Sequence, residues 1–192
     1  MRARRWDALL YDIAEDQAGY FSAAQARAAG LHPVRLVQLA SHGDIERVSR
    51  GVYRVTRFPV SPLGHYMEAV LWPQVRRPDV TGVVSHQSAL AIHELSDVSP
   101  ARVHVTLPGG LRIRRALPKG LVLHFGDLGP EDVERVEGVP VTTPQRSIRD
   151  AHATHLGREV IAKAIADGRR SGALSRSVAT RLGRELLGAV RR

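Results

Sequence analysis

Few residues of this 192-residue chain have types and spacings that could do chemistry. His86 and His93 are seven apart, which on a helix puts them on one face, two turns apart. That is too far for the i, i+4 pairing of a helical zinc site. No third ligand is evident, and a metal needs several converging ligands, so a structural role is the stronger reading. Ser85 and His86 are sequence neighbours, but a nucleophile and its base must meet in space. Ser85 is therefore read as a helix cap and not as half of a catalytic pair. Arg146 and Asp150 stand at i, i+4 and read as an ion pair on a helix face. Pro108-Gly109-Gly110 lacks the Lys and Ser/Thr of a phosphate-binding loop. No metal-nuclease carboxylate pattern is present. The expectation is an absence of catalytic residues, metal ligands and cofactors.

What remains is arginine. "SHGDIERVSRGVYRV", residues 41–55, places Arg47, Arg50 and Arg54 around Gly51. Such arginines are either solvated or aimed at an anion. The formal net charge is +9, and it is unevenly spread. Residues 1–58 hold nine Arg against six acids, residues 59–150 hold ten cations against ten acids, and residues 151–192 hold nine cations against three acids. A basic excess at both ends favours nucleic acid or another polyanion. Arg outnumbers Lys 26 to 2, and that preference is given no functional weight. Hydrophobic residues at 43% and charged residues at 24% are those of a globular chain, not a disordered one. There is no cysteine, so disulfides and thiolate sites are excluded. No apolar run reaches the roughly 18 residues of a membrane span. The basic N-terminus is broken by Asp7, Asp12, Glu15 and Asp16, unlike a signal peptide. A soluble cytoplasmic protein is expected.

The elements that would position these arginines can be read locally. Trp6, Leu9, Leu10 and Ile13 recur at helical spacing, giving a helix over 4–17. Ser22 is an N-cap for a helix over 23–29, closed by Gly30. Pro33 suits the first turn of a third helix, whose inward stripe is Leu36, Leu39 and Ala40. Gly43 ends it. A hairpin over 45–48 and 52–55 follows, turning at Ser49-Arg50-Gly51. Helix, short helix, short turn, helix and hairpin is the order of a winged helix-turn-helix, whose third helix enters the DNA major groove. Candidate DNA-contacting residues are His32, Arg35, Gln38, Ser41 and His42 on that helix and Arg47, Arg50 and Arg54 on the wing. Arg can pair with guanine and Gln with adenine. Wing arginines would contact phosphate, which positions without specifying sequence. Asp44 and Glu46 weaken the local field. Ordinary solvated charges on an exposed helix and hairpin remain the alternative.

"GYFSAAQARAAGLHPVRLVQLASHGDIERVSRGVYRV" resembles the N-terminal domain of AbiEi-type antitoxins and related transcriptional regulators. The matching features are Gly19-Tyr20-Phe21, Ala24-Gln25-Ala26, Gly30, Gly43-x-Ile45-x-Arg47-Val48 and the run from Arg50 to Val55. "VSHQSALAIHEL", "PARVHVTLP" and "GVPVTTPQRSIRD" follow in the family's order, so the resemblance covers residues 18–152. It implies a winged helix fused to a mixed α/β domain. It also implies an operon of a type IV toxin–antitoxin system, in which the protein represses its own promoter through double-stranded DNA with inverted repeats. Finally, it implies that the protein offsets a nucleotidyltransferase-like toxin, directly or indirectly.

The expected fold class is α+β, with a winged helix over 1–58, a mixed α/β domain over 59–152 and a basic helical hairpin over 153–192 packed on the second domain. In the middle, a helix is expected over 63–72. "DVTGVVSH" is a strand running into a helix over 87–95, and strands are expected over 102–107 and 121–125. A hairpin over 133–136 and 139–142 turns at Glu137-Gly138, and a helix opens at Pro144. In the tail, Leu156, Val160, Ile161, Ala164 and Ile165 form one stripe, residues 168–172 interrupt, and Ser175 caps a second helix. That helix carries Val178, Leu182, Leu186 and Val190 on one side and Arg176, Arg181 and Arg184 on the other. The arginines are either solvated or a second polyanion surface. A rival to DNA reading is a protein-interaction module that blocks a toxin directly. RNA binding is weaker, since stacking aromatics are scarce and Tyr53 is expected to pack inward with Val55.

Overall fold

The computed structural model describes residues 2–188. The Trp6 side chain and Val190, both assigned above to apolar stripes, lie outside what it describes. The chain divides into two units, Met1–Gly82 with Arg135–Pro140, and Val83–Glu134 with Val141–Arg192. The expected class holds: α-helices and two sheets, one of three strands and one of five. The boundaries differ from 1–58, 59–152 and 153–192. Residues 59–82 group with the first unit, and residues 153–192 group with the second. The connector joins the first unit because it is stitched there. Val70 and Leu71 are fully buried, and the Ser22 hydroxyl donates to Gln74 Oε1.

The first unit runs α1 (Arg2–Glu15), β1 (Tyr20–Ser22), α2 (Ala23–Ala28), α3 (Pro33–Ser41), β2 (Ile45–Ser49), β3 (Val52–Val55) and α4 (Gly64–Leu71), then a 3-10 turn, Trp72–Val75. The helices and wing stand where the sequence places them. β1 was not expected. It pairs antiparallel with β3 (Phe21 opposite Tyr53), giving the order β1-β3-β2. Leu10, Ala14, Phe21, Ala26, Leu31, Leu36, Leu39, Ile45 and Val55 form the core. Tyr53 packs inward, its ring stacked on Phe21 at 5.7 Å. Gly51 has φ +79° at the wing turn, a conformation open to glycine and strained for other residues.

Ser22 works as expected and more. Its hydroxyl accepts from the Gln25 N–H while the Gln25 side chain accepts from the Ser22 N–H, a reciprocal capping box. Ser22→Ala loses that cap and leaves the buried Gln74 short of a partner. A loss of about 1–2 kcal/mol is expected, read as a lower thermal midpoint with no change in the folded far-UV spectrum.

The second unit contains β4 (Val83–Val84), α5 (His86–Ile92), β5 (Val103–Leu107), β6 (Leu121–Phe125), β7 (Val133–Val136), β8 (Val139–Thr142), α6 (Pro144–Ala153), α7 (Arg158–Ser171) and α8 (Arg176–Leu187). The tip of the β7–β8 hairpin groups with the first unit. The sheet order is β6-β5-β4-β8-β7. β4 is antiparallel to β5 and parallel to β8, and β5 is parallel to β6, so the sheet is mixed. Glu137 and Gly138 both have positive φ, as a two-residue hairpin turn requires. Leu90, Leu95, Ile148, Ala151, Ile161, Ala164, Ile165, Leu174, Ala179 and Leu182 form a core shared by α5 to α8.

Residues 168–172 do not interrupt the tail where expected. α7 runs through Gly168 to Ser171, and Gly172, with φ +84°, ends it. Glycine inside a helix costs about 1 kcal/mol relative to alanine. Here the bare backbone admits Leu174, which a Cβ at Gly168 would meet at 2.9 Å. Ser175 caps α8, accepting from the Val178 N–H.

Candidate nucleic-acid interface

α3 is built for exposure along one side. Pro33 occupies its first turn, and His32 stands at the N-cap, its Nδ1 accepting from the Val34 N–H at 3.4 Å. Leu36 and Leu39 are buried in the core, so the opposite crest is set by helical geometry. At 3.6 residues per turn that crest holds Val34, Gln38 and Ser41, with Val37 on one flank and Arg35 and His42 on the other. Gln38, Ser41 and His42 are exposed, and Arg35 is half-buried. Val34 and Val37 are 58% and 67% exposed and were missed from sequence, where only polar side chains were sought.

The polar groups on this face are tied to one another. Arg35 Nη1 donates to Gln38 Oε1 at 2.7 Å. Both side chains are thereby held in place, and the Gln38 NH₂ and a second lone pair of Oε1 remain for an outside base. The Ser41 hydroxyl donates to the Gln38 carbonyl at 2.8 Å, and His42 Nδ1 bonds the same oxygen at 2.6 Å. Ser41 and His42 thus also close the end of the helix, adding side-chain bonds to a carbonyl that already accepts the His42 backbone N–H.

The wing separates its three arginines. Arg47 and Arg50 are exposed, and among the described residues neither has an ion-pair partner. Arg54, expected with the others to contact phosphate, is instead held by the protein itself. Its side chain is only 13% exposed and bonds Glu46 at 3.2 Å across the strand pair. It also donates to the Phe58 carbonyl at 3.1 Å. Register explains this: Glu46 lies directly opposite Arg54, so the acid expected to weaken the wing's field is neutralised by the nearest arginine. Arg47→Ala and Arg50→Ala should each shrink the log–log salt slope of DNA binding by about 0.9 and leave stability unchanged. Arg54→Ala should instead lower stability by about 1 kcal/mol. Titrations at several salt concentrations, run beside thermal melts, separate the two. Unchanged slopes for Arg47→Ala and Arg50→Ala would make the wing cations merely solvated.

The second unit holds a different constellation. Ser85 stands at the N-cap of α5 but makes no side-chain cap, contrary to expectation. Its buried hydroxyl lies 2.9 Å from His86 Nδ1 and accepts from the Thr106 hydroxyl at 2.7 Å. Serine and histidine thus do meet in space, but Ser85 is fully buried, out of reach of a substrate. His86 and His93 do not share a face as their spacing implied. His86 has φ +54°, off the helical conformation, and its ring stacks on His124 at 3.5 Å. His93 Nε2 instead donates to the Thr142 carbonyl, with Glu134 at 3.6 Å from Nδ1. His104 Nδ1 meets His124 Nε2 at 3.0 Å, completing a three-ring cluster.

The cluster's rings stack rather than converge on a point, and among the described residues no group of side chains is arranged to hold a metal ion. Burial lowers all three pKa values. His86 falls to about 3, pushed further by His124, His104 and Arg146. His124 falls to about 4, pushed further by His104, and His104 itself is lowered further by Arg102. The cluster is neutral at pH 7. Arg146 bridges Asp150 at 2.9 Å and Asp132 at 2.6 Å, so the i, i+4 pair is present and extended by a third residue. On α8, Arg176 and Arg184 are exposed, while Arg181 donates to Gln145 Oε1.

Helices α1 to α3 and the antiparallel sheet β1-β3-β2, ending in a two-stranded wing, make residues 2–55 of the first unit a winged helix-turn-helix. Residues 9–56 match the family model described as "Transcriptional regulator, AbiEi antitoxin". The resemblance read from sequence therefore holds from within α1 to the end of the wing. No curated protein matches the chain. Among solved structures, the chain is similar to the crystal structure of the RV2827C protein from Mycobacterium tuberculosis, at 14% identity and a TM-score of 0.49, over 93% of this chain and 71% of that one. No helix among the described residues is long and apolar enough to cross a membrane.

Proposed function

We propose that this chain is the antitoxin of a toxin–antitoxin operon and the autorepressor of its own promoter, acting in the cytoplasm without catalysis or a cofactor. In this reading α3 enters the major groove of inverted repeats, with Arg35 and Gln38 discriminating bases. Arg47 and Arg50 hold the flanking phosphates. The cognate nucleotidyltransferase-like toxin is offset by repression, by contact, or by both. One observation carries the reading: the match to a transcriptional-regulator family covers α3 and the wing, whose outward helix side and exposed cations, without an ion-pair partner among the described residues, suit DNA.

The test is a reporter driven by the sequence upstream of the gene. The intact chain should silence it, and the Arg35→Ala, Gln38→Ala double variant should not. Equal expression with and without the chain would overturn autorepression. The rival, direct docking of a toxin on the winged helix, draws support from exposed Val34 and Val37. It predicts instead a stable complex with the product of a neighbouring nucleotidyltransferase gene, lost on altering those valines.

A further inference from the structure

We infer that Val34 and Val37 read thymine, each packing its methyl groups against the C5-methyl of a thymine in the major groove beside the base held by Gln38. The inference deepens the DNA reading proposed above and rests on it.

The observation is the make-up of the α3 crest. Two side chains of the outward side are apolar and well exposed, at 58% and 67%. They stand three residues apart, which on a helix brings their Cβ atoms to about 5–6 Å of each other. That spacing spans roughly one to two base-pair steps at about 3.4 Å each. The valines do not form a separate greasy face. Gln38 and Ser41 lie between and beside them on the wheel, and Gln38 is held ready by Arg35.

An A·T pair shows this same mixture in the major groove. Adenine offers an N7 acceptor and an N6–H₂ donor, and the thymine beside it offers a methyl group. A glutamine flanked by branched apolar side chains is therefore complementary to adenine-and-thymine steps in both its hydrogen bonding and its apolar surface. The exposed cations Arg47 and Arg50 on the adjoining wing, without an ion-pair partner among the described residues, favour a polyanion as occupant over an apolar protein surface.

The experiment uses the full chain and duplexes selected by it from a random-sequence DNA library. In the preferred duplex each thymine is replaced in turn by deoxyuridine, which removes only the C5-methyl. At one or two positions next to the adenine whose identity Gln38→Ala ceases to sense, the intact chain should bind about fourfold more weakly, the equivalent of one lost methyl-sized contact at about 0.8 kcal/mol. Val34→Ala or Val37→Ala should weaken binding to the thymine duplex by a similar factor and become indifferent to deoxyuridine at its own position. Both valines are exposed, so unchanged melting temperatures check the fold, and the deoxyuridine arm needs no protein variant at all.

Indifference of the intact chain to deoxyuridine at every position, with sequence preference retained, overturns the inference and leaves the DNA reading standing. Equal losses by the alanine variants on thymine and deoxyuridine duplexes also overturn it. So does a fall in sedimentation mass on Val37→Ala, which would make the patch a contact between copies. A library that yields no preferred sequence removes the DNA reading itself, and the inference with it.

Discussion

Replacing Gln38 with alanine should cost the chain roughly 5- to 150-fold in discrimination at particular operator positions, the range of one good bidentate base contact at about 1–3 kcal/mol. The effect should be confined to those positions. Binding to random DNA, which is dominated by phosphate contacts, should change little. Arg35→Ala should also relax specificity, but its effect should not simply add to that of Gln38→Ala. The two side chains share a 2.7 Å hydrogen bond, so removing Arg35 also frees the Gln38 amide to rotate. A double-mutant cycle on the preferred duplex and its single-base variants reads both effects. Equal weakening on operator and random DNA would make Gln38 a positioning side chain and move base reading elsewhere.

The second large effect lies in the other unit and concerns acid. His86, His104 and His124 are packed together as neutral rings, with Arg146 and Arg102 nearby opposing any added positive charge. In the unfolded chain each would take a proton near its ordinary value of 6.5. In the folded chain His124 waits until about 4 and His86 until about 3. Between those values the unfolded state binds more protons, so stability is full above about pH 6.5 and falls as pH drops toward 4. His124 alone accounts for on the order of 3 kcal/mol by pH 4. For a unit of this size that is a fall in thermal midpoint of roughly 10–20 °C. Glu185, held down by Arg149, adds its loss only below the ordinary carboxylate range. Melts at pH 7, 5.5 and 4 should show the decline, and His124→Asn should flatten it. A midpoint independent of pH between 6.5 and 4.5 would contradict the neutral cluster.

Local signals decided how much could be read beforehand. Ser22, Gly30, Pro33 and the turn at Gly51 are residues whose backbone or capping chemistry acts within a few positions, so α2, α3 and the wing were legible. β1 was not, because a three-residue strand has no period and its existence depends on β3, some thirty residues on. The histidine cluster was hidden for a similar reason. The pairing of β5 with β6 brings His104 and His124 together, and the left-handed backbone of His86 turns its ring toward them. Sequence spacing instead suggested a His86–His93 pair that the fold does not make. Arg54 was misjudged because its partner Glu46 is defined by hairpin register, not by proximity in sequence. The expected site residues of α3 do lie on its outward side or at its ends, while Val34 and Val37 were overlooked between them.

The most direct measurement is a binding titration of the full chain against its own upstream sequence and a scrambled duplex of equal composition, across a salt series. The account predicts a lower Kd for the native sequence at every salt concentration. It also predicts parallel log–log salt slopes for the two duplexes, because the phosphates held are the same and only the bases read differ. Equal affinity for both duplexes, or a slope near zero, would contradict it.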